Sequence, residues 1–132
     1  MDMKDKLAQA GIRPTAQRTL IAELVFGGLA HPSADEVFKA ATGQSKSVSQ
    51  ATVYNTLNAF VEAGLLQQFD LGSGRVIYDC NTNNHHHFID DVTGEIIDLA
   101  PSDVRLSEHC AARFDVNSVH MVVRGTLRHG QS

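Results

Sequence analysis

The sequence predicts an α+β chain in two parts: a helical N-terminal half closed by a β-hairpin, then a small β-β-α-β half. Three observations predict it. Capping residues precede the apolar stripes of the first half, the hydrophobic period switches from about 3.6 to 2 near residue 65, and "HHHFIDDVTGEIIDLA" alternates like a second hairpin. A length of 132 residues accommodates one domain or two small ones, not a large enzyme scaffold. With 42% hydrophobic and 20% charged residues, the composition is that of an ordinary globular protein and excludes global disorder. No apolar run approaches the ~20 residues of a membrane span, and "MDMKDKLAQAG" lacks the basic-then-apolar pattern of a signal peptide. A cytoplasmic chain with no membrane partner is the expectation. Its two cysteines, Cys80 and Cys110, form no CxxC pair, which excludes a four-cysteine zinc clamp within one chain and favours free thiols.

Taken in order, a short helix is expected over residues 2–10, stopped by Gly11. Thr15 can cap the next helix, whose Leu20, Ile21, Leu24 and Val25 follow helical spacing up to Gly27-Gly28. In "HPSADEVFKAA", Ser33 and Glu36 form a capping box, and Val37 and Phe38 begin the buried stripe. Ser49 can cap a fourth helix with Val53, Leu57, Phe60 and Val61 inward and Gly64 as its stop. "LLQQFDLGSGRVIYDC" then reads as two short strands about an LGSG turn. After a hinge at "DCNTNN" come the second hairpin, turning at residues 91–94, a helix over residues 102–112, and a last strand in "FDVNSVHMVVRGTLR" with Val119, Met121 and Val123 on one face. This second half, of about fifty residues, is too small to be robust alone, so an apolar sheet edge and helix face are expected to pair with a second copy, giving a homodimer.

Three helices followed by a hairpin is the order of a winged helix-turn-helix. The alternative is a small α/β domain with an unused hairpin. The fourth helix favours the first reading, because Ser49, Gln50, Thr52, Tyr54 and Asn55 on its exposed N-terminal face can reach base edges, thymine methyls and phosphates in a major groove. A helix that only covered a core would more often carry Lys/Glu pairs there. Arg13, ahead of the second helix, is placed for an A·T-rich minor groove or phosphates, with Arg18 beside it as a further candidate. Two winged helices on a C₂ dimer would read a palindromic, double-stranded A·T-rich operator. Charge gives mixed guidance. Residues 1–78 carry seven Lys/Arg against seven Asp/Glu, whereas residues 79–132 carry four against eight and hold six of the seven histidines. The pI near 5.9 speaks mildly against nucleic acid, but the acidic half suits a cation.

"GIRPTAQR", "HPSADEVF", "ATVYNTLNAFVEAGLL" and "HHHF", in this order and spacing, resemble the Fur (ferric uptake regulator) family of metal-dependent repressors. The resemblance runs from about residue 7 to residue 128, with "ATVYNTL" before "AGLL" its most specific motif. The triple histidine, the absence of CxxC pairs and the terminal "VHMVVRG" look most like the iron response regulator (Irr) branch. The chain departs from the typical family pattern where cysteine pairs would hold structural zinc, and it lacks the longer N-terminal haem motif of some relatives. The resemblance implies a winged-helix DNA-binding domain over residues 1–79, a hinge at 80–84 and a dimerisation and metal-binding domain over 85–132.

In a regular strand His85 and His87 share one face and His86 the other, and the expected turn sets Asp98 opposite His87. The three histidines therefore cannot all serve one ion. The resemblance adds two ligands, His31 and Asp79, which taken alone would be a surface histidine before Pro32 and a solvated hinge carboxylate. Three imidazoles and two carboxylates suit Fe²⁺, Mn²⁺ or Zn²⁺ better than Cu(I). A second site at His86 and His120 is a weaker expectation. Relatives would supply a helix glutamate and a strand histidine where Arg105 and Val119 stand, and His120 is one residue out of register. His109 is expected at the surface, Cys110 buried and Cys80 half-buried, although Cys80 beside Asp79 offers a soft ligand that makes haem an alternative cofactor. The function implied is metal-dependent repression, mainly of iron and metal homeostasis genes. Two alternatives stand beside it. Asp79 and Asp98 resemble the carboxylates of peroxide-sensing relatives, in which bound iron oxidises a histidine ligand. A small metalloenzyme is disfavoured because no general base, nucleophile or oxyanion donor is placed near the cluster, and five protein ligands leave little room for substrate.

Overall fold

The structure, a computed structural model, describes residues 2–128. The last four residues of the expected C-terminal domain therefore lie outside the described residues. The chain divides into two compact units, Met1–Thr82 and Asn83–Ser132.

In the first unit, α1 (Met3–Gln9), α2 (Ala16–Gly27), α3 (Ala34–Gln44) and α4 (Gln50–Glu62) precede the antiparallel pair β1 (Gln67–Asp70) and β2 (Val76–Asp79). Local chemistry sets each helix start. The Thr15 hydroxyl accepts from the Arg18 amide, Ser33 and Glu36 close a reciprocal capping box, and Ser49 accepts from the Thr52 amide. Gly64 takes φ +77 directly after the α4 cap, a left-handed turn that glycine adopts without a Cβ clash. Leu7, Ile21, Val37, Val53, Leu57 and Phe60 are essentially fully buried, and the Phe26 and Phe60 rings pack with centroids 5.6 Å apart. Leu20, Leu24, Phe38 and Val61 are partly buried against this core. The amide of Tyr78 donates to the Pro32 carbonyl at 2.8 Å, fastening β2 to the segment that enters α3.

In the second unit, β3 (His86–Asp90) is central, with β4 (Ile96–Leu99) antiparallel on one side and β5 (Val122–Gly125) parallel on the other. The hairpin turn is held by Asp90, whose Oδ1 accepts from the amides of Val92 and Thr93. The helix expected over 102–112 is corrected. A single 3₁₀ turn at Pro101–Asp103 is followed, after an extended stretch, by α5 (Glu108–Arg113). The cause is local capping: Asp103 Oδ2 turns back to the Ala100 amide, and the Ser107 hydroxyl accepts from the Cys110 amide to start a new helix. Arg105 therefore sits between helices. The last strand is also shorter than expected, so Val119, His120 and Met121 precede it and strand alternation does not govern them. No helix among the described residues is long and apolar enough to cross a membrane.

Candidate metal centre and nucleic-acid face

In the first unit His31 and Asp79 meet, with His31 Nε2 3.4 Å from Asp79 Oδ2. The other carboxylate oxygen accepts from the Asn81 amide at 2.9 Å, which fixes the rotamer. Asp79 is buried rather than solvated as a hinge carboxylate normally is. His31 has φ +50, a left-handed conformation that costs a non-glycine residue roughly 1–2 kcal/mol. Strain of this kind persists where the side chain is needed in place.

In the second unit the register pairs His87 with Asp98, the pairing the turn implied. Asp98 Oδ1 lies 3.7 Å from His85 Nε2 and 3.6 Å from His87 Nε2, and the two Nε2 atoms are 3.2 Å apart. All three consecutive histidines are buried, His87 completely. Their remaining nitrogens are engaged differently. His85 Nδ1 lies 2.6 Å from the Asn83 carbonyl, which can only accept, so Nδ1 carries the proton and the Nε2 of the neutral ring is a bare lone pair. His86 turns away and its Nδ1 accepts the Met121 amide at 3.0 Å. His87 Nδ1 meets His120 Nε2 at 2.8 Å. This contact could not be read from the sequence, because His120 lies outside β5.

Of the weaker second-site pair, the structure stacks His86 and His120, with ring centroids 6.5 Å apart and planes at 25°, and directs a His120 nitrogen at His87 instead. Burial first, then the nearby His87, His86 and His85, lowers the pKa of His120 below its usual 6.5, which favours a neutral ring. Cys80 is exposed and Cys110 half-buried, both more open than expected.

The donor chemistry fits a divalent cation. The exposed Asp98 carboxylate and two buried imidazole nitrogens crowded against it repel one another when unprotonated, and a borderline divalent ion relieves that repulsion. Asp79 and His31 offer the same types of donor. His31 and Asp79 in the first unit, and His85, His87 and Asp98 in the second, are thus donor groups of the types such an ion takes.

The predicted nucleic-acid residues gather on the first unit. Ser49, Gln50, Tyr54 and Asn55 are exposed at the start of α4, the Ser49 hydroxyl also capping the helix, and Thr52 is half-buried. Arg13 is exposed, and Arg18 Nη1 donates to its carbonyl at 3.1 Å, bracing the approach to α2. Thr15, Arg18, Thr52 and Asn55 line one cleft between the starts of α2 and α4, together with Gln17, which the sequence reading passed over. A second cleft joins Tyr54 to Gln68 and Arg75 of the hairpin. Basic and amide groups on a hairpin beside the helix were the available signal for these two.

The family model for the ferric uptake regulator family matches residues 9–124. A peroxide-responsive repressor, PerR, of Staphylococcus aureus strain Mu50 is 34% identical over 129 residues, covering 95% of this chain and 86% of the relative. Among solved structures, a zinc-bound manganese uptake regulator superposes with TM-score 0.76 at 26% identity, covering 97% of this chain and all of the other. The peroxide stress regulator of Campylobacter jejuni superposes with TM-score 0.65 at 25% identity, covering 97% and 95%. By name these relatives are peroxide-responsive, peroxide-stress or manganese-uptake regulators, and the expected Irr branch is not confirmed by them.

Proposed function

The chain belongs to the ferric uptake regulator family, and from that premise we propose that one divalent ion, Fe²⁺, Mn²⁺ or Zn²⁺, controls it through His31, Asp79, His85, His87 and Asp98. Members of the family are metal-responsive transcriptional regulators that bind DNA as dimers, not enzymes. The observation that carries the ligand assignment is the convergence of the buried His85 and His87 on the exposed carboxylate of Asp98. The pairing of His31 with a buried Asp79 supports the other two ligands. Neither cluster alone supplies the four to six donors such ions take, and together they supply five.

Bound, the ion supplies a charge that neutralises the clustered carboxylates and fixes its ligands in place. Since the ligands come from both sides of residues 80–84, binding restrains that hinge and the separation of the two recognition helices in the dimer. The exposed apolar residues Phe114, Val116, Met121 and Val123 support the second unit as the dimerising one. Gln50, Thr52, Tyr54 and Asn55 then read base edges, with Arg13, Arg18 and Ser49 on the backbone, at a palindromic A·T-rich operator in the cytoplasm. Fluorescence anisotropy with a labelled palindromic duplex tests this: affinity should rise on adding Mn²⁺ or Zn²⁺, and the rise should disappear in His87→Ala. Binding of equal strength with and without metal would refute it.

A second reading is favoured by the two aspartate ligands and by the peroxide-responsive relative. In that case hydrogen peroxide added to the iron-loaded protein transfers one oxygen atom to a ligand histidine and leaves as water, read by mass spectrometry as a gain of one oxygen on His31, His85 or His87.

A further inference from the structure

His120 lies outside the five proposed ligands, yet its Nε2 is 2.8 Å from His87 Nδ1, closer than the 3.2 Å between His85 Nε2 and His87 Nε2. We propose that His120 is a positioning residue: its Nε2 hydrogen-bonds His87 Nδ1 at 2.8 Å, which holds the His87 ring with Nε2 toward His85 and Asp98, and it would accept the Nδ1–H once a divalent cation takes that Nε2. The inference rests on the ligand reading above and deepens it.

The argument is one of proton placement. Because the Asn83 carbonyl fixes the proton of His85 on Nδ1, His85 Nε2 can only accept. His87 then has two arrangements. With its proton on Nε2 it donates to His85 at 3.2 Å and accepts from His120 at 2.8 Å. That ring is closed to a metal, since its inward nitrogen carries hydrogen. With its proton on Nδ1 it donates to His120 and presents a bare Nε2 beside Asp98 Oδ1 at 3.6 Å. Both arrangements use the 2.8 Å contact with His120, and the first also makes the 3.2 Å bond to His85. Only the second leaves Nε2 open to an ion, and it keeps the His120 bond, so the ring need not turn when metal binds. A ligating histidine is commonly oriented through its other ring nitrogen by an outer partner in this way.

The middle histidine has a part in the arrangement. His86 Nδ1 accepts the Met121 amide at 3.0 Å, and the His87 amide donates to the Met121 carbonyl at 3.1 Å. Two bonds therefore fix the residue next to His120. They explain how a side chain ahead of β5 is held within 2.8 Å of a ring on β3 without strand pairing of its own.

The test uses full-length protein labelled with ¹⁵N-histidine, metal-free and loaded with Zn²⁺. With Zn²⁺, wild type should show the His87 proton on Nδ1, coupled through a hydrogen bond to a His120 nitrogen. His120→Leu should bind Zn²⁺ about 10–100-fold more weakly by competition with a chromophoric chelator. His120→Gln, whose side-chain carbonyl can take the same hydrogen bond, should recover the affinity. A purely structural role would not give that rescue. A Zn²⁺-loaded wild type with no hydrogen bond between His87 and His120 overturns the proposal, whether or not the variants fold. So does a His120→Leu protein with unchanged Zn²⁺ affinity. The ligand reading fails separately, if His87→Ala binds Zn²⁺ like wild type; the His87–His120 hydrogen bond is also read in the metal-free protein, where it does not depend on that outcome.

Discussion

Replacing the three consecutive histidines one at a time should separate ligands from scaffold. His85 and His87 present Nε2 atoms to the same carboxylate oxygen at 3.7 and 3.6 Å, so alanine at either removes a direct donor. The expected loss of Zn²⁺ affinity exceeds the roughly 10–100-fold that removal of an outer partner costs. His86 differs in kind. It is buried, and its Nδ1 accepts the Met121 amide at 3.0 Å, so His86→Ala leaves that amide without its acceptor. An unmade hydrogen bond of this sort costs about 1–3 kcal/mol, before any cavity left by the ring. At roughly 4 °C per kcal/mol the melting point should fall by about 4–12 °C. Metal affinity should fall much less than in either outer variant. Chelator competition and a thermal melt of the metal-free proteins read the two effects independently. The strand register would be refuted by a His86→Ala protein that melts like wild type and binds no Zn²⁺, alongside a His87→Ala protein that binds it normally.

Arg13→Ala should weaken operator binding by about 1–3 kcal/mol, as loss of a specific contact does, and unchanged binding by an Arg13→Ala, Tyr54→Ala double variant would refute the docking face. Ser33→Ala opens the α3 capping box and should cost about 1 kcal/mol of stability by denaturant titration without altering the metal ligands. Stripping metal with a chelator should lower apparent operator affinity by about 1.4 kcal/mol for each tenfold fall in the competent fraction, and re-adding Mn²⁺ or Zn²⁺ should restore it in an anisotropy titration.

The parts of the fold that were legible in the sequence are those decided within a few residues. Thr15, Ser33 and Ser49 each start a helix by satisfying an amide three positions on, and the sequence displays both partners. The His87–Asp98 pairing was legible for a similar reason, because a short turn and strict alternation leave one register. The region after residue 100 was not. There Asp103 and Ser107 cap two separate turns, competing with the continuous helix that residues 102–112 suggest. His120 was opaque because its contact spans 33 residues and follows no strand period. The exposure of Cys80 likewise depends on how the chain leaves β2, which no local pattern records.

The parallel pairing of β3 with β5 sets an order of assembly. β4 returns to β3 through a tight turn, whereas β5 must close a loop of about thirty residues, at a larger cost in chain entropy. The hairpin bearing His85, His87 and Asp98 should therefore form first, and the contact that orients the His87 ring last. A folding chain thus acquires metal donors before it acquires the partner that orients them. Metal met at that stage would find a looser, less discriminating cluster than the finished protein offers.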